Sequence, residues 1–108
     1  MPTYMTQFSH THDAVLRLAK NPEDRSVPVR ALAEKLGGRF IGMYYSTGDY
    51  DGLVIFEAAD AQVAGTLVLA VSLPGHLSRT RTTQLFTVAE GMEMMGAAGQ
   101  HSYPGPRG

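Results

Sequence analysis

Two short runs, "RFIGMYYST" starting at Arg39 and "GLVIFEA" starting at Gly52, are apolar at consecutive positions and are separated by a spacer carrying Gly48, Asp49, Tyr50 and Asp51. The short, glycine-bearing spacer makes them the arms of a β-hairpin. Side chains alternate across a strand, which puts Ile41, Met43 and Tyr45 on one face with Phe40 and Tyr44 on the other, and sets Leu53 and Ile55 against Val54 and Phe56. A sheet with one wet face shows polar residues on that face, and neither arm does. A chain built around this hairpin must therefore cover both faces of its sheet.

What surrounds the hairpin decides the cover. "TYMTQF", Thr3 to Phe8, mixes β-branched and aromatic residues and reads as a strand. A helical region follows in two segments. The first runs from about His12 to Lys20, with Val15, Leu18 and Ala19 on one face and Ser9 or Thr11 as cap. "NPED" looks like a new helix start, with Asn21 as N-cap and Pro22 at the first helical position. Pro28 should kink or restart that element, after which Val29, Leu32, Ala33 and Leu36 form an apolar stripe ended by Gly37 and Gly38.

Beyond the hairpin, Asp60 caps a helix in which Val63, Leu67, Ala70 and Val71 recur at helical spacing, and Pro74 and Gly75 close it. "HLSRTRTTQLF" favours a last strand, and "TVAE", Thr87 to Glu90, is a capping box opening a short helix through Met95. Met92, Met94 and Met95 are expected to pack against a neighbour, in the chain or across a dimer. The domain is expected over residues 1–96, and residues 97–108, rich in Gly and Pro, are expected to form a flexible tail.

The order β-α-β-β-α-β is that of a ferredoxin-like sandwich: an α+β fold whose four-stranded antiparallel sheet, in spatial order 4-1-3-2, carries its helices on one face. The other, apolar face is left open. A second copy of the chain is the cheapest cover, since two-fold dimers are the commonest oligomers. At 108 residues the chain buries roughly two thirds of its unfolded surface, so a dimer would also add to a modest core.

Composition removes several classes of function. Nine Lys and Arg against ten Asp and Glu leave no basic surface for nucleic acid or anionic membranes. With no cysteine there is no disulfide frame, thiolate zinc site or cysteine nucleophile. The start has no basic and apolar leader pattern, and "VAGTLVLAVSL" is too short to span a bilayer, so a cytoplasmic location is expected. No motif for a phosphate loop, dinucleotide fold, serine elbow or zinc-protease helix is present, and no cofactor is expected.

"MPTYMTQF", "ALAEKLGGRFIGMYYSTGDYDGLVIFEAAD" and "RTRTTQLFTVAE" resemble the GYD domain family, named for a triplet found here as Gly48, Asp49 and Tyr50. The resemblance covers about residues 1–90. It implies a small prokaryotic domain of the ferredoxin-like, dimeric α+β barrel type and brings no established function.

The topology gathers the loops "SHTHD", "TGDYDG" and "PGHLSR" at one end of the sheet, so His10, His12, Asp13, Asp49, Tyr50, Asp51, His76 and Arg79 are expected to be neighbours. Each has a plain and a chemical reading. Gly48 to Gly52 form either a turn, with glycines at positive φ and aspartates bonding local amides, or a site in which Asp49 or Asp51 acts as base or anchor under a Tyr50 lid. His10 and His12 are either capping groups or, with His76, three ligands of a metal, though no metal is expected. Tyr4, Tyr44 and Tyr45 are core or dimer-interface aromatics, or phenols lining a cleft. Arg79 and Arg81 share a strand face, either as charges guarding an edge or as an anion clamp.

Two functions remain. One is a homodimeric module, as a plain dimer or in a higher assembly, that binds a small molecule or serves in assembly. The other is a cofactor-independent oxygenase- or isomerase-like enzyme for an aromatic or polyketide-like substrate, an analogy from fold alone. An open cleft between helices and sheet, with a convergent His or Asp, would be the mark of a ligand site.

Overall fold

The computed structural model describes residues 1–107; Gly108, the last residue of the expected tail, lies outside them. The chain runs β1 (Thr3–His10), α1 (His12–Lys20), α2 (Ser26–Lys35), β2 (Arg39–Tyr45), β3 (Gly52–Glu57), α3 (Ala61–Ser72), β4 (Leu77–Leu85) and α4 (Val88–Ala98). The four strands form one antiparallel sheet in the order β2-β3-β1-β4, the ferredoxin-like order.

Strand alternation builds the core. Tyr4, Thr6 and Phe8 of β1 and Val54 and Phe56 of β3 point to the helical side and are buried, with Phe56 fully enclosed. The Tyr4 and Phe56 rings stack with centroids 5.8 Å apart. Ala33 of α2 and Ala64 and Leu67 of α3 complete the cluster. Thr6 is the polar member, and its hydroxyl is satisfied by the Thr82 hydroxyl of β4 at 2.9 Å.

In β2 the expected alternation breaks. The register shifts between Phe40 and Gly42, so Phe40 pairs with Phe56 while Met43 pairs with Val54. Ile41 is the extra residue of this bulge, and the slip moves every later side chain to the opposite face. Phe40 therefore shares the core face with Met43 and Tyr45, while Tyr44 stands on the open face and is 62% exposed. Tyr45 is exposed as well, so of the three strand tyrosines only Tyr4 is a core residue.

Caps follow local chemistry, with one relocation. Thr11 accepts from the Ala14 amide to start α1, Asp60 accepts from Val63 to start α3, and Thr87 with Glu90 forms the capping box of α4. Asn21, however, ends α1 instead of starting α2. The second helix begins at Ser26 because the Asp24 carboxylate takes both the Ser26 hydroxyl and its amide. Pro28 then falls in the first turn, where its missing N–H costs no bond, and the helix runs on past it without a break. Gly37, at φ 79°, closes α2: its amide donates to Glu34 and the Gly38 amide reaches back to Ala33.

The C-terminal helix departs most from expectation. It runs to Ala98, past Met95, and buries none of its residues. Met92 and Met95 are 65% and 71% exposed, so the methionines bury little against their own chain. The radius of gyration, 17.5 Å, exceeds the roughly 13 Å of a compact chain of this length.

Two outcomes follow from this architecture. Gly52 has no room for a Cβ, which would sit 2.6 Å from Phe8 Cζ and 2.7 Å from the Tyr44 carbonyl oxygen. Gly52→Ala should lower stability by about 1–3 kcal/mol, seen as a lower urea midpoint at unchanged slope. The Ser26 hydroxyl, then its amide, hold the Asp24 carboxyl below its ordinary 3.8. Because the folded value is depressed, this support of α2 is complete above pH 3.8 and is lost as pH falls through the lower, folded value. The Ser26 amide resonance should titrate with a midpoint below 3.8.

Candidate functional site

The end of β1, the β2–β3 loop and the start of β4 converge at one end of the sheet. β1 supplies Ser9 and His10, and the register slips there so that His10 faces Leu77 of β4. The Thr11 amide donates to the His76 carbonyl oxygen at 2.9 Å, joining the first and last of the three loops. The hairpin is tied in through Asp51, whose amide donates to Phe8 and whose carboxylate accepts from the His10 amide, each at 2.8 Å. That carboxylate bond spans 41 positions in sequence, so the aspartate bonds a distant amide instead of a local one.

Arg79 closes the cluster from β4. Its guanidinium lies 4.1 Å from the centre of the Tyr50 ring, and it donates to the Asp49 carbonyl oxygen. The carboxylates of Asp49 and Asp51 are not its partners. Tyr50 is thus held beneath a cation, and Arg79 clasps the hairpin. The turn itself does not rely on left-handed glycines. Among the described residues positive φ occurs at Gly37 and Gly75, while Gly48 and Gly52 lie outside that region. Gly52 is needed for close approach between strands instead.

Of the expected residues, His10, Asp49, Tyr50, Asp51, His76 and Arg79 meet at this end. His12, Asp13 and Tyr44 do not join them, and Asp13 pairs instead with Arg17 of its own helix. His12 is exposed at the first position of α1, because α1 turns away from the strand directly after Thr11. Tyr44 faces out from the open side of the sheet after the bulge. No group of three or more His, Cys, Asp or Glu side chains among the described residues is placed to hold a metal.

The same end opens into a cleft of 650 Å³ between the helices and the core face of the sheet. Phe8, Met43 and Val54 form its floor, and Val29, Leu32 and Leu67 line its walls. His10 and His76 also line it. Both ring nitrogens of His10 are buried without a hydrogen-bond partner, and its ring meets Phe8 edge-on at 5.3 Å between centroids. The helical stripe residues therefore line a cavity as well as a core. The signal present in the sequence was small size: Ala14 and Ala70 bring α1 and α3 to the cleft without filling it.

Asp51→Ala strands the His10 amide and should cost about 1.5–3 kcal/mol in urea unfolding. Arg79→Ala should cost about 0.5–1 kcal/mol, and Tyr50→Ala should add little in that background, a coupling that a double-mutant cycle reads directly.

Comparison with known proteins accords with this architecture. The chain matches the GYD domain over residues 4–95. It is 30% identical over 90 residues to a Thermus thermophilus protein named "Glutamine synthetase and cystathionine beta-lyase binding protein", covering 83% of this chain and 94% of the relative. A crystal structure of a Thermus thermophilus protein shares the fold, with a TM-score of 0.50 at 21% identity, covering 82% of this chain and 96% of the other. The chain belongs to the GYD domain family.

Proposed function

We propose that this protein is a homodimeric assembly module that works by binding other proteins and needs no cofactor. The observation that carries the reading is that a single chain leaves two apolar surfaces uncovered. One is the open sheet face, where Met5, Leu53 and Ile55 are only half-buried and Tyr44 is exposed. The other is α4, where Val88, Met92 and Met95 recur on one helical side and lie outside the core. Patches of this kind mark interaction surfaces.

The two surfaces divide the work. The sheet face pairs with its copy about a two-fold axis, because a self-complementary flat face is what closes a dimer. The methionine-bearing arm suits partners of varied shape, since unbranched thioethers repack easily. The relative's name, as a binding protein of glutamine synthetase and cystathionine beta-lyase, supports protein partners of this class. The alternative, a cofactor-independent oxygenase or isomerase, has less support: one oxygen of Asp51 is engaged by the His10 amide and the Tyr50 ring by Arg79.

Sedimentation equilibrium at micromolar concentration should give the mass of two chains of 11.7 kDa, and Ile55→Lys should give one. A monomeric wild-type chain would overturn the dimer. For the partners, immobilised protein should retain purified glutamine synthetase or cystathionine beta-lyase, and removal of the chain from Val88 onward should abolish retention. If neither enzyme is retained, partner binding by α4 is refuted whatever the sedimentation result.

A further inference from the structure

We propose that the cleft between the helices and the sheet is a binding site for a small, predominantly apolar carbonyl compound, whose oxygen accepts a hydrogen bond from the His10 ring. Neither the family assignment nor the relative's name assigns a ligand to this place, and the site is independent of the dimer and of α4.

Volume is the first argument. Protein interiors are close-packed and hold few voids larger than a water molecule. A cleft of 650 Å³ opens here beside the main core. That lies well inside the roughly 300–1,000 Å³ typical of small-molecule sites. Its lining is largely apolar, with Phe8 and Val54 from the sheet, Leu32 from α2 and Leu67 and Val71 from α3. An apolar molecule entering it exchanges water for carbon on several sides.

The polar anchor is the second argument. Buried polar groups are nearly always hydrogen-bonded, and each exception calls for an explanation. His10 is such an exception at both ring nitrogens. Its ring neighbours are the Phe8 and Tyr45 rings, with centroids 5.3 and 6.4 Å away, and neither bonds its nitrogens. A neutral imidazole carries one N–H and one bare nitrogen, so a ligand oxygen able to accept one bond satisfies its donor. The backbone of His10 is held by the Asp51 carboxylate at 2.8 Å, so a turn of the ring about its own side-chain bonds is what brings a nitrogen to the cleft it lines.

Desolvation selects a neutral head group beside His10. At the mouth, Arg17 is paired with Asp13 at 3.0 Å and Arg25 with Glu23 at 2.7 Å, and Lys20 is exposed. Burying an ionised group among Phe8, Val54, Leu32 and Leu67 would require a charged partner at that depth. A ketone, aldehyde or ester has the apolar body and the single acceptor that this geometry can take.

The test uses two probes of similar size, acetylnaphthalene, which carries a carbonyl, and ethylnaphthalene, which does not. Acetylnaphthalene should bind the full chain more tightly, and its addition should shift the His10 imidazole nitrogen resonances. His10→Phe should weaken acetylnaphthalene by about tenfold and leave ethylnaphthalene unchanged. Leu67→Trp, which fills the cavity, should abolish binding of both while circular dichroism shows an intact fold. Equal affinity for the two probes, or imidazole resonances that do not move on saturation, would overturn the proposal. So would a wild-type chain that binds neither. The resonance measurement needs no variant and decides the matter even if His10→Phe fails to fold.

Discussion

Everything in this protein hangs on the central strand pair, β1 against β3. Its core face carries Tyr4, Thr6 and Phe8 opposite Phe56, Val54 and Gly52, an alternation of large and small groups that sets the height at which helices can pack. At Tyr4 and Phe56 two large rings stack, and Ala33 and Ala64 join them in the buried cluster. Toward the other end, the glycine at 52 makes room for the Phe8 ring and the helices stand off. Core and cleft are two ends of the same layer.

The loop cluster follows from that pair as well. Since β1 ends where β3 begins, Asp51 is delivered to the His10 amide, and β4, running beside β1, delivers Arg79 to the hairpin. The motif at Gly48 to Asp51 thus serves as a clasp. Its aspartate, its tyrosine and its backbone carbonyl each hold one neighbouring element, and the chemistry left over belongs to the His10 ring behind it.

Local signals are legible where a residue acts on its own neighbours. Thr11, Asp60 and Thr87 cap helices because a side-chain oxygen needs only the amides two or three positions on. Strand order follows from the sequence of elements, and so does the meeting of His10, Asp51, His76 and Arg79. The bulge at Ile41 is legible only through its neighbour: Gly42 inside a strand marks a bulge without showing which residue is left out of the pairing. Strict alternation from Phe40 therefore puts Met43 and Tyr44 on the wrong faces. The start of α2 is ambiguous in the sequence because Asn21 and Asp24 are both good caps, and the hydroxyl of Ser26 decides the competition.

By itself the amino-acid order determined the α+β class, the antiparallel sheet, the caps, the hairpin and a strand pair apolar on both faces. Those properties depend on periodicity and on interactions between near neighbours, which a linear reading contains. Only the tertiary structure decided that Asp51 bonds a distant amide, that Arg79 rests on Tyr50, that α4 stands clear of the core, and that the apolar stripes of α2 and α3 border a cleft lined by an unpartnered histidine. These depend on the distances at which whole layers come to rest, and those distances are set by the sum of side-chain volumes across the sheet rather than by any one segment.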